Sequence, residues 1–124
     1  MIRFLILISL LFIVTACASD GNVSDPAETV IQYMQAKVDG DKETLSTLLC
    51  AEMESILTRE SQSFATVDAV LEDATCQRDD DSETVTCTGA IVADYGGEDT
   101  EFPLTSYRVI QEDGMWKWCG EAES

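Results

Sequence analysis

The chain has 124 residues, with 7 Lys and Arg against 24 Asp and Glu, five cysteines and no histidine. That length holds one domain at most, and an apolar fraction of 45% places it among globular chains despite a formal charge of −17. Without histidine there is no Ser-His-Asp or Cys-His dyad and no His-ligated metal. The acidic excess also excludes nucleic acid as a partner, because affinity for a phosphate backbone comes from Lys and Arg replacing its counterions.

The N-terminus reads as a processing signal. One cation, Arg3, precedes an apolar run from Phe4 to Val14 broken only by Ser9. The run is too short to span a bilayer and fits the h-region of a secretory signal. Val14-Thr15-Ala16-Cys17 resembles the lipobox of bacterial lipoproteins: an aliphatic residue, two small residues and a cysteine. The resemblance implies that residues 1–16 are removed and that Cys17 becomes the lipidated first residue. The expected partner is then the membrane, reached through the acyl chains, since two or three chains hold a protein where one is marginal. Ala18 follows the cysteine, not the aspartate associated with inner-membrane retention. The expected location is the outer membrane of a diderm host or the outer face of a monoderm's membrane. Loss of residues 1–16 removes one basic residue and no acidic one, leaving 108 residues with a formal charge of −18. Residues 17–24 then form the lipidated end and a short polar tether, whose last seven residues reach about 25 Å when extended.

The domain is expected over residues 25–121, with 122–124 as a tail. Asp25-Pro26-Ala27-Glu28 is a helix start: Asp25 as N-cap, Pro26 at the first helical position, and Glu28 where it completes a capping box. Ala27, Val30, Ile31, Met34 and Val38 follow on one face, and Gly40 ends the helix. Asp41 caps a second helix with Leu45, Leu48, Leu49 and Met53 as its apolar set, and a looser amphipathic stretch carries Ile56, Leu57 and Phe64. From Val67 the period changes to two. Val85, Cys87, Gly89, Ile91, Ala93 and Tyr95 alternate with Thr86, Thr88, Ala90, Val92 and Asp94, as in a half-buried strand. Turn chemistry at Asp79–Ser82, Tyr95–Asp99 and Glu112-Asp113-Gly114 divides the second half into four strands joined as a meander.

Helices first and an antiparallel meander second define an α+β fold, with N-terminal helices packed on one face of a curved sheet of about four strands. The run Pro26-Ala27-Glu28-Thr29-Val30-Ile31-Gln32-Tyr33-Met34, the acidic turn Val38-Asp39-Gly40-Asp41 and a last strand ending Trp116-Lys117-Trp118 resemble the nuclear transport factor two-like superfamily, the cystatin-like cone shared with ketosteroid isomerases. The chain is also similar to a set of small bacterial lipoproteins with a cysteine after the second helix and a Cys-Gly pair at the end. The resemblance covers roughly residues 25–121 and implies a fold, not an activity.

With Cys17 assigned to lipid, Cys50, Cys76, Cys87 and Cys119 remain. An even set in an exported chain this small reads as two disulfides, with three connectivities open. Pairing across the turn at Asp81-Ser82 sets Asp80 opposite Glu83, and the same register sets Cys76 opposite Cys87; elimination then joins Cys50 to Cys119. A four-thiolate zinc site is the rival, but no C-x-x-C spacing exists, and neither metal nor cofactor is expected.

Asp79-Asp80-Asp81-Ser82-Glu83 lacks the ligand spacing and glycine of an EF-hand and reads as an acidic hairpin tip. Asp94 and Tyr95 have the residue types of an isomerase acid and phenol, yet strand alternation sends them to opposite faces beside a Gly-Gly turn; a solvated rim is the simpler account. Arg108 and Lys117 are scarce cations able to hold a carboxylate ligand, or to pair with nearby acids. Tyr33, Asp94, Tyr107, Arg108 and Trp116 are the residues expected around a pocket in the cone, although aromatics at alternate strand positions are usually core. The expectation is a lipid-anchored, non-catalytic binding or interaction domain of the cell envelope, with a small molecule or an envelope protein as partner. The alternative is a small isomerase or dehydratase with a carboxylate buried in the cone, for which Asp94 would have to be turned inward by a bulge.

Overall fold

A computed structural model of the protein describes residues 25–123. The expected signal segment, Cys17 and the tether lie outside the described residues. Helices α1 (Pro26–Asp39), α2 (Lys42–Leu48) and α3 (Leu57–Ser61), with a 3-10 segment at Ala51–Ile56 before α3, precede strands β1 (Asp68–Arg78), β2 (Thr84–Asp94), β3 (Asp99–Pro103), β4 (Ser106–Glu112) and β5 (Met115–Glu121). The fold is α+β, and the five strands form an open antiparallel sheet.

Local chemistry sets the helix ends. The Asp25 carboxylate accepts the Ala27 N–H at 2.8 Å, Pro26 occupies the first turn, and Gly40 closes α1 in the left-handed region at φ 66°. Glu28 does not close a capping box; its carboxylate instead accepts from the Gln32 amide one turn on. Asp41 caps α2 by accepting the Thr44 N–H and hydroxyl, and these bonds hold its carboxyl below the usual range. The second helix is shorter than its apolar pattern suggests. Leu49 turns extended and bridges in parallel to Trp118, and the Cys50 N–H donates to the Trp118 carbonyl at 3.0 Å. Met53 therefore sits in the 3-10 segment, not in α2.

The hairpin β1–β2 has the expected register, with Cys76 opposite Cys87 and Arg78 opposite Val85. The register shifts between Glu72 and Thr75, where Asp73 adopts φ 52°. Gly89 faces this bulge at φ 98°, and a Cβ on it would lie 2.6 Å from the Glu72 and Asp73 carbonyl oxygens. Both disulfides join the expected pairs: Cys50–Cys119, 69 residues apart, and Cys76–Cys87, 11 apart. Loop-closure entropy gives them about 4 and about 3 kcal/mol of stabilisation respectively.

The sheet has five strands where four were expected. The segment after the Gly96-Gly97 turn is a single strand in the sequence pattern but breaks at Leu104-Thr105, with Pro103, which has no N–H to give the ladder, just before the break. Both halves stay on β2: β3 pairs with its end, β4 with its start, and across the break Leu104 N–H donates to the Gly89 carbonyl and Cys87 N–H to that of Thr105. The core lies between α1, α2 and the sheet face bearing Val85, Cys87, Ile91, Tyr107, Val109 and Trp118. At its centre Tyr33 of α1 stacks on Trp118 of β5, with ring centroids 3.9 Å apart.

Candidate functional site

A cleft of about 520 Å³ opens between the helical layer and the sheet around the junction of β3 and β4. Met53, Ile56 and Phe64 form its helical wall, and Phe102, Tyr107 and Trp118 its sheet wall. At its sheet side Phe102 of β3 meets Phe64 edge to face across 5.8 Å, and Leu104, between β3 and β4, also lines the space. The volume falls in the range of small-molecule pockets, which are mostly apolar with a few placed polar groups.

The polar groups at the cleft are Lys37, Arg59, Glu60, Glu101 and Glu121. Glu60 is only 6% exposed. One of its carboxylate oxygens accepts the Tyr33 hydroxyl at 2.8 Å, and the other lies 3.2 Å from the Lys37 ammonium. The helix period explains the arrangement: Tyr33 and Lys37 are four apart on α1, so phenol and ammonium project from one face and reach the same carboxyl on α3. Burial, reinforced by the Glu60 carboxylate, drives the Tyr33 phenol far above its ordinary pKa, and burial also raises that of Tyr107, whose oxygen accepts the Thr105 N–H. The Glu60 carboxylate is thus both paired and hydrogen-bonded, with one partner on each oxygen, as the burial of such a group requires.

Trp118 is 5% exposed and lines the cleft, yet its indole N–H is buried with no hydrogen-bond partner. Among the described side chains it is the one buried polar atom in that condition. Leaving such a donor unpaired costs about 1–3 kcal/mol.

Of the five residues expected around a pocket, only Tyr107 lines this cleft. Tyr33 lies behind the wall, completely buried. Asp94 is exposed at the end of β2 and accepts the Gly97 N–H at 2.7 Å, closing the turn. The sheet's register shifts lie at Glu72–Thr75 of β1 and at Tyr107–Val109 of β4, not beside Asp94, so neither turns that carboxyl inward. Arg108 points to the surface and pairs with Glu52 at 3.1 Å. Trp116 is half-buried beneath the Arg78 guanidinium, 4.7 Å from the ring centroid. Arg78 also donates to the Ser82 and Asp81 carbonyls and so ties down the acidic hairpin tip. Lys117 donates to the Thr47 carbonyl, which uses the second scarce cation structurally.

Cys50, Cys119 and Glu52 lie within 4.8 Å of one another, but the two sulfurs are bonded to each other and offer no thiolate to a metal. Among the described residues no helix is long and apolar enough to cross a membrane. No protein-family model matches the chain, and no curated protein matches it.

Proposed function

We propose that the protein is a lipid-anchored, extracytoplasmic binding domain of the bacterial envelope, that it holds a small molecule in the cleft between Trp118, Phe64 and Phe102, and that it has no catalytic activity of its own. The lipobox-like Val14–Cys17 run supports the anchor. The two disulfides of the fold fit an oxidising compartment. The observation that carries the binding role is the cleft itself, an aromatic-walled space of small-molecule size with a few polar groups in its lining. The non-catalytic part rests on the groups present: Glu60 is held by Tyr33 and Lys37 within the fold, and Asp94 closes a turn. A cystatin-like cone, in which helices cover a curved sheet and leave a pocket between them, is the architecture we assign to this arrangement.

Native mass spectrometry of the protein isolated from its own membranes tests both halves. The N-terminal peptide should carry an acylated Cys17, and the folded protein should retain a non-protein mass. Ile56 is half-buried in the cleft wall, so Ile56→Trp fills the space and should abolish the extra mass while leaving the fold intact. An unmodified chain beginning elsewhere contradicts the anchor, and a retained mass unaffected by Ile56→Trp contradicts the site.

A further inference from the structure

We propose that the ligand of this cleft is an organic cation, an amine or quaternary ammonium with an apolar body, whose charge is drawn by Glu101 and Glu121 and whose apolar part packs on Phe64 and Phe102. The inference rests on the cleft being the binding site, as proposed above.

The charge balance of the lining comes first. Among the described residues the cleft carries three carboxylates, Glu60, Glu101 and Glu121, and two cations, Lys37 and Arg59. Lys37 and Glu60 neutralise each other across 3.2 Å. Two exposed carboxylates then stand against one exposed guanidinium, within a chain of formal charge −17. A concave site of that sign raises the local concentration of cations and opposes the entry of a carboxylate or phosphate. The walls supply the second argument. Phe64 is half-buried and Phe102 is 41% exposed, so both keep ring surface that a ligand can reach. The face of an aromatic ring attracts a cation, most strongly one that has shed its water, while the same ring packs against apolar groups. A bare metal ion fits neither feature: it needs several oxygen ligands at short range, and phenyl rings offer no lone pairs. A cation dressed in apolar substituents fits both, and the volume of about 520 Å³ has room for one.

The test uses the mature lipidated protein in dodecyl maltoside micelles, with empty micelles as the partition blank. Three probes share one shape and differ in charge: benzyltrimethylammonium, the neutral alcohol 2-methyl-1-phenylpropan-2-ol, and the anion 2,2-dimethyl-3-phenylpropanoate. NMR methyl signals of Met53, Ile56 and Leu104, which line the cleft, report entry and give each dissociation constant. The expected result is that the ammonium binds about ten-fold more tightly than the alcohol, that the anion binds most weakly, and that the ammonium's affinity alone falls as salt is added. Glu101 and Glu121 are exposed, so Glu101→Gln with Glu121→Gln should leave the fold intact. That pair of substitutions should cost the ammonium about ten-fold in affinity and change the alcohol's by less than about two-fold. Equal binding of the three probes in the cleft, preference for the anion, or an ammonium preference untouched by the double substitution overturns the ligand class and leaves the cleft as the site. If no probe moves the cleft methyls, the site falls and the ligand class with it.

Discussion

Glu60 shows how one side chain is made acceptable inside a protein. A carboxylate stripped of water is tolerated only when paired and hydrogen-bonded, and Lys37 and Tyr33 supply one partner to each oxygen. Lys37→Met keeps the bulk of the side chain and removes the charge. It should destabilise the protein by about 2–3 kcal/mol in denaturant titration, less than a fully buried pair because the ammonium retains some water. Adding Glu60→Gln should restore part of the loss, as the unpaired charge is then gone. Additive losses in the double variant would show that the two groups do not interact. Tyrosine governs the alkaline limb. Tyr33 and Tyr107 keep their protons in the folded state to higher pH than in the unfolded chain, where a phenol ionises near pH 10. The folded state thus binds more protons in that range, so this stability is complete below pH about 10 and is lost as pH rises toward the folded-state values. Denaturation midpoints measured across that range should fall, and the fall should be shallower in Tyr33→Phe. An equally steep fall in the variant would locate the effect elsewhere.

Among the elements, β1 and β2 show how far a pattern of residues determines a structure. The alternation from Val85 to Asp94 and the acidic turn were enough to read the register that joins Cys76 to Cys87, because every side chain changes face if a strand slips by one. The bulge opposite Gly89 left no comparable mark. Gly89 occupies an ordinary inward position in the alternation, and only the approach of the Glu72 and Asp73 carbonyls shows why no side chain fits there. Gly89→Ala should therefore cost about 2–3 kcal/mol, combining a positive φ with a steric clash, measured as a lower denaturation midpoint at unchanged slope. A change within a few tenths of a kcal/mol would mean that the bulge relaxes freely. The early end of α2 and the division of the fourth expected strand were hidden for a related reason. Both follow from long-range contacts, Cys50 with Trp118 and Leu104 with Gly89, that no local periodicity encodes.

On the scale of the whole molecule, the helix caps, the α+β order and both disulfides were legible in the sequence, whereas the site mostly was not. Tyr107 was found, but Asp94, Arg108 and Trp116 were chosen for residue type, and the fold spends them on a turn, an ion pair and a cation–π contact. Glu60 was missed because it sits in a five-residue helix with little periodicity, flanked by polar residues. The available signal was Tyr33 and Lys37 one turn apart on the face of α1 that also buries Val30 and Met34; a phenol and an ammonium so placed need an acid. Trp118 entered the sequence reading only through the motif of the last strand. Its ring stacks on Tyr33 in the core, and the same residue lines the cleft. The most direct test of that cleft as the binding site is a crystal structure of the protein as isolated from its own membranes. We expect density for a non-protein molecule in the cleft walled by Phe64, Phe102 and Trp118. A cleft closed by those rings against Trp118, or holding water alone, would contradict it.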